Sequence, residues 1–303
     1  MFVDERVGGA GGVSAVVVTG VTGALTAPGA LPVVVIVAGT ATGASGPAGA
    51  DLVVAEADLD STLAVVQRNP LASTALAVLL RGTPGGDVEA GLAMESAVYS
   101  TLQAGPEFAA WRASATHRPA ADDRPTVQVE RAGPLLVVRL DRPHRHNAIS
   151  TRLRDELTAA LQLALFDDSI AAVELCGNGP SFCSGGDLGE FGSRLDPATA
   201  HHTRLARSPA RLIHRLRERT VARLHGAAMG GGIEMAAFAG RVIAHPDTRI
   251  ALPELGLGLI PGAGGTVSIT GRIGRQRTAL LALSTVSIDA PTALAWGLID
   301  EIG

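Results

Sequence analysis

Two glycine-framed segments about 45 residues apart constrain this chain more than any other feature: Ser181-Phe182-Cys183-Ser184-Gly185-Gly186-Asp187-Leu188 and His225-Gly226-Ala227-Ala228-Met229-Gly230-Gly231-Gly232-Ile233-Glu234. Each follows a short apolar run that reads as a strand, Ala171 to Cys176 and Val221 to Leu224. Glycine lets a backbone approach another group without a side chain intruding, so each segment can aim a bare N–H at one oxygen. A helical pattern comes next in both cases, over Thr203 to Arg217 and from Ile233, before a further strand at Val242 to Ala244. Strand, glycine loop and helix, twice over, argue for an α/β protein whose functional loops lie at strand ends.

Composition narrows the function classes. With 303 residues and 47% hydrophobic content the chain can bury a large core, as one large domain or two smaller ones. A net charge of -4 and few aromatic residues make nucleic acid a poor partner. The 25 basic residues are all arginine, which excludes Schiff-base lysine chemistry and a Walker-type phosphate lysine. Cys176 and Cys183, with no CxxC or His-rich frame, read as buried thiols in a reducing compartment. His144, His146, His201 and His202 have neither HExxH spacing nor a nearby acidic or cysteine ligand set, so no metal site is expected. The N-terminus carries Asp4 and Glu5 rather than a basic region, and the longest apolar run, Leu31 to Ala38, is too short to cross a bilayer. A soluble cytoplasmic protein with no membrane partner is the expectation.

A Pro- and Asp-containing stretch, His117 to Pro125, separates a Gly/Ala/Val-rich first part from a second part with regular alternation. In the second part, Thr126 to Glu130 and Leu135 to Leu140 read as paired strands. Asn147 to Phe166 reads as an amphipathic helix capped by Ser150 or Thr151, with Leu153, Leu157 and Leu161 on one face. In the first part, Ala15 to Thr19 and Pro32 to Ala38 are strand candidates.

Pro253-Glu254, twenty residues after Glu234, Arg142-Pro143-His144-Arg145-His146-Asn147-Ala148, and Leu255-Gly256-Leu257-Gly258-Leu259-Ile260-Pro261-Gly262-Ala263-Gly264-Gly265 complete a set of motifs. In order and spacing, this set with the two glycine segments resembles the crotonase (enoyl-CoA hydratase/isomerase) superfamily over residues 126 to 303. The resemblance implies a spiral of β-β-α turns, and two peptide N–H groups that hold a thioester oxygen as it becomes an enolate. Carried over, the donors are Gly186 and Gly231. Glu234 orients and deprotonates water, and Glu254 delivers a proton to the α carbon. Arg145 pairs with a phosphate of coenzyme A, Ala148 lines the adenine pocket through its backbone, and Ser184, Asp187 and Leu188 flank the pantetheine, although Asp187 can equally serve to brace its loop.

The implied activity is hydration of a trans-2-enoyl-CoA. Two carboxyls in a partly apolar site can activate water at the β carbon and protonate the α carbon. Coenzyme A enters as part of the substrate, with no further cofactor, and a homotrimer or dimer of trimers is implied. Isomerisation, hydrolysis, decarboxylation or cofactor-free dioxygenation of an acyl-CoA on the same scaffold is one alternative, and a non-catalytic acyl-CoA-binding or assembly subunit is another.

Family members usually continue past the segment matching Ala295 to Glu301 into helices that cap the acyl-CoA site. Here Asp58 to Arg81 and Asp87 to Pro119, including Gly91-Leu92-Ala93-Met94-Glu95-Ser96, look like that tail placed before the core. The expected organisation is therefore a Val/Gly-rich extension over 1–50, a helical segment resembling a crotonase tail over 51–120, and a catalytic core over 126–303. A circular permutation or a decayed tandem copy would produce it; an unrelated helical extension is the competing reading.

Overall fold

The computed structural model describes residues 2–4, 8–9, 12–20, 25–26, 28–39, 41–82, 86–116, 122–193, 196–284 and 287–303. Most of the boundary stretch expected at His117 to Pro125 thus lies outside the described residues.

A six-stranded sheet holds, in spatial order, Glu301–Ile302, Arg241–Ala244, Thr220–Leu224, Ala172–Gly177, Leu135–Leu140 and Val127–Ala132. It is parallel apart from the hairpin that pairs Val127 with Leu140 and Ala132 with Leu135. A smaller sheet sets Ala227–Met229 parallel to Arg249–Ala251, with Ile288–Asp289 antiparallel beyond. The chain visits both sheets in turn. It leaves the large sheet at Leu224, enters the small one at Ala227, runs through the helix Gly231–Ala236, and returns to the large sheet at Arg241. The next circuit repeats this through Arg249–Ala251 and the helix Gly265–Leu283. The preceding circuit places Cys183 beside Ala228 in a parallel bridge. These β-β-α circuits make the fold a mixed α/β spiral, as the resemblance implied, and they stack the two glycine segments on neighbouring turns.

Two helix boundaries differ from the sequence expectation, each for a local reason. The helix expected from Asn147 begins at Thr151. His146 and Asn147 take left-handed backbone angles (φ 50 and 55), and the Ser150 side chain accepts the Leu153 N–H. Leu153, Leu157 and Leu161 then lie fully buried on one face. The single helix expected over Thr203 to Arg217 is two, Pro197–Ala206 and Pro209–Arg215. Pro209 has no N–H to continue the first ladder, and Ser208 caps the second helix through Arg211.

The first part of the chain forms its own four-stranded sheet, in the order Phe2–Asp4, Ala15–Thr19, Val34–Gly39 and Leu52–Ala55. Because Leu52–Ala55 pairs parallel with Val34–Gly39, this sheet runs across the expected 50/51 boundary. Four helices follow, Glu56–Arg68, Pro70–Gly82, Val88–Gln103 and Pro106–Ser114. Pro70–Gly82 and Val88–Gln103 pack on Gly265–Leu283, and Val88–Gln103 also packs on Pro197–Ala206. One continuous buried cluster contains Leu76, Leu92 and Phe108 together with Leu175, Ile233 and Leu255. Among the described residues no single helix is long and apolar enough to cross a membrane.

Candidate active site

The two glycine segments meet at a cavity of about 250 Å³ lined by Gly186, Gly231, Glu234 and Glu254. In the bridge between Ile149 and Gly186, the Ile149 N–H donates to Gly185 O and the Asp187 N–H donates to Ile149 O. Alternation along an extended strand therefore turns the Gly186 N–H to the opposite side. Gly231 opens the helix Gly231–Ala236, where the first N–H groups have no intrahelical acceptor. Among the described residues neither N–H finds an acceptor. An added side chain would also meet its neighbours in each segment. A Cβ on Gly186 would sit 2.4 Å from the Phe191 ring, and one on Gly232 would sit 2.6 Å from Cys183 O.

The glutamates arrive from the same turns. Glu234 lies on the helix that Gly231 opens and is buried; its Oε2 accepts the Ala263 N–H at 2.7 Å and the Gly265 N–H at 2.9 Å. Glu254 follows the strand Arg249–Ala251, is buried, and its Oε2 has no hydrogen-bond partner. Its other oxygen lies so close to Gly230 that a Cβ there would come within 2.1 Å. Burial pushes the Glu254 carboxyl up to about 7. Burial, with the charges of Glu254 and Glu95, pushes Glu234 well above the usual carboxylate range. Two buried carboxyls that line one cavity can hold a proton at neutral pH while still offering an acceptor.

A third buried carboxyl, Glu95 on the helix Val88–Gln103, stands behind them. Its oxygens accept the Gly264 N–H at 2.7 Å, the Thr266 N–H at 2.9 Å and the Thr266 hydroxyl at 2.7 Å. Burial raises it to about 7 despite these bonds. Glu95 and Glu234 thus hold alternate residues of the Ala263 to Thr266 turn. From the same helix Leu92, Ser96, Tyr99 and Gln103 line the cavity. Tyr99 packs where a Cβ on Gly262 would be 2.4 Å from its ring.

This geometry can be compared with known proteins. The family model described as enoyl-CoA hydratase/isomerase matches residues 130–303. The chain belongs to the enoyl-CoA hydratase/isomerase family. It is 34% identical over 174 residues to the 2,3-dehydroadipyl-CoA hydratase of Escherichia coli, covering 57% of this chain and 68% of that protein. It is 34% identical over 172 residues to the enoyl-CoA isomerase/hydratase fer4 of Mycosarcoma maydis, covering 54% and 63%. The chain thus spans about two thirds of the length of these relatives. Among solved structures, the enoyl-CoA hydratase of Thermoplasma volcanium superposes with a TM-score of 0.53 at 33% identity, covering 59% of this chain and 72% of that one. Pseudomonas aeruginosa DspI superposes with a TM-score of 0.55 at 29% identity, covering 61% and 70%.

The residues that the family resemblance assigned to coenzyme A are placed less uniformly. Of Arg145, Ala148, Ser184, Asp187 and Leu188, Asp187 lines the cavity and the other four do not. Asp187 braces its loop: Oδ1 accepts the Gly189 N–H at 3.0 Å and Oδ2 accepts Arg142 Nη1 at 2.7 Å. Ala148 spends its N–H on Arg145 O and its carbonyl on Arg142 Nη1. Arg145 is exposed, and the Ser184 N–H donates to His146 O, tying the two loops together.

Several important residues escaped the sequence reading of roles. Fully buried Arg142 bridges Asp122 at 2.6 Å and Asp187; burial disfavours its charge, and the two carboxylates more than offset that. Buried Asn147 receives the Arg142 N–H on Oδ1 and donates from Nδ2 to the carbonyls of Asn178, Ser181 and Phe182. It fastens the loop before the first long core helix to the first glycine segment. Both cysteines are free and buried, and the Cys183 thiol donates to Asn147 O at 3.1 Å. Among the described residues no cluster of three or more His, Cys, Asp or Glu side chains that could hold a metal is present.

Proposed function

We propose that this family member adds water across the double bond of a trans-2-enoyl-CoA. The observation that carries the reading is the convergence of Glu234, Glu254 and the N–H groups of Gly186 and Gly231 on one cavity. The thioester oxygen takes both N–H bonds and is stabilised as charge moves onto it; a single preorganised donor of this kind contributes about 3 to 4 kcal/mol in other oxyanion holes. The short helix behind Gly231 adds the positive end of its dipole. Water held between the glutamates gives a proton to one carboxylate as its oxygen bonds the β carbon. The other carboxyl protonates the α carbon, so the pair carries the same number of protons before and after. Arg145, Ala148, Ser184 and Leu188 belong, in this reading, to the coenzyme A side, reached outside the cavity from the joined loops at Arg142 to Ala148 and Ser184 to Leu188. Residues 51–120 act as the cap that family members otherwise place after the core.

The test is loss of the conjugated enoyl-thioester absorbance with a trans-2-enoyl-CoA, for wild type, Glu234→Gln and Glu254→Gln. Turnover is expected to fall at least about a hundredfold in each variant, as for a lost acid or base. Wild-type protein that binds the ester without consuming it would sink the hydratase reading.

A further inference from the structure

Four arginines line the cavity: Arg154, Arg204, Arg207 and Arg211. Three are ion-paired at its rim, Arg154 and Arg207 sharing Asp155 and Arg211 meeting Glu89. Arg204, from the helix Pro197–Ala206, has no carboxylate partner among the described residues. Its guanidinium is nevertheless fixed. Nε donates to Ser96 Oγ at 3.1 Å, and Nη2 donates to Ser96 O at 3.3 Å and to Ser100 Oγ. Its plane lies over the Tyr99 ring, with Cζ 4.6 Å from the centroid. Nη1 has no acceptor among the described residues. The nearby acid, Glu95, already accepts from Gly264 and Thr266.

A half-buried guanidinium, held rigid on one edge, feeling the charge of Glu95 but with no carboxylate in ion-pair contact, is poorly solvated and ready to take an anion. Its neighbours Leu92, Leu205 and Met235 supply apolar wall in the same cavity. An acyl chain whose thioester lies on Gly186 and Gly231 shares the cavity with this wall and with Arg204.

We propose that Arg204 receives a carboxylate at the far end of the acyl chain, so that the favoured substrates are enoyl-CoA esters of dicarboxylic acids. This rests on the acyl-CoA reading of the site above. The other anion such a ligand carries is a phosphate of coenzyme A, which every ester shares.

The test uses two trans-2-enoyl-CoA esters of equal chain length, one ending in a methyl group and one in a carboxylate, with wild type, Arg204→Gln and Arg204→Lys. Turnover and the calorimetric affinity of each ester are measured. Wild type is expected to favour the carboxylate ester in kcat/KM by at least about tenfold, the scale of one charge-assisted contact. Arg204→Gln is expected to abolish that preference, and Arg204→Lys to retain part of it. Equal losses on both esters, as for a phosphate contact or a purely structural role, would overturn the proposal, as would wild-type preference for the methyl ester. The affinity comparison separates the two claims. Tighter binding of the carboxylate ester that Arg204→Gln erases supports this assignment even if neither ester is hydrated.

Discussion

At the scale of single residues, three buried carboxyls govern how this site responds to pH. Glu95 and Glu254 are raised to about 7 and Glu234 well above its usual range, in each case chiefly by burial. A carboxyl whose folded-state pKa is raised favours folding while it is protonated. That contribution is complete at pH values below the ordinary carboxylate range and is lost as pH rises toward about 7. Each carboxyl protonated in the folded state alone lowers stability by about 1.4 kcal/mol per pH unit across that window. Denaturant midpoints are therefore expected to fall as pH rises through it, and kcat/KM is expected to drop as the glutamate pair loses its shared proton. Glu95→Gln removes a negative charge that raises both catalytic candidates, so its descending limb should lie at lower pH than that of wild type. It also leaves a backbone or hydroxyl donor of the turn without an acceptor, at a cost of about 1 to 3 kcal/mol. A pH–rate profile that coincides with wild type would remove Glu95 from the electrostatics of the site.

Among elements, the short helix Gly231–Ala236 shows how tightly backbone shape and chemistry are joined. Gly230 precedes it with φ 45 and ψ -125, a conformation open to glycine, and faces the Glu254 carboxylate. Gly230→Ala should cost at least about 2 kcal/mol through strain and clash. It should also lower kcat/KM about a hundredfold by displacing the helix start and the carboxylate together. Gly256→Ala serves as its control, since a Cβ there meets nothing within 4 Å; matching effects in thermal melts and turnover would refute the argument from Gly230. The glycine segments were legible in the sequence because close backbone approach leaves glycine as the residue that fits. The strands and the apolar face of Leu153, Leu157 and Leu161 were legible through periodicity. The break at Ser208-Pro209 was written in the sequence as a cap and a proline, yet an apolar pattern on both sides masked it. Arg142, Asn147 and Arg204 left no such trace. Their roles depend on partners 20 to 108 positions away, a relation that no local pattern records.

For the molecule as a whole, the decisive relation is between the helices of residues 56–114 and the core they cover. Asn69 Nδ2 donates to Leu255 O at 2.6 Å, next to Glu254, while Glu95 holds the turn whose Gly265 N–H binds Glu234. Phe108 stacks on Trp111 at 5.5 Å between centroids, and Trp111 meets the edge of Phe191, the ring beside Gly186. The surroundings of Glu254, Glu234 and Gly186 are thus each steadied by a residue from the first part of the chain, although the family model matches 130–303. The site therefore belongs to both parts. A fragment of residues 122–303 would uncover Leu255 and the face of Gly265–Leu283 on which Pro70–Gly82 and Val88–Gln103 pack. It would also lose the Leu92, Glu95 and Tyr99 wall of the cavity. Such a fragment is expected to bind a hydrophobic dye, to unfold without a sharp transition and to show no measurable turnover of an enoyl-CoA that the whole chain consumes. A cooperatively folded fragment with wild-type turnover would show that the helical segment merely decorates the core.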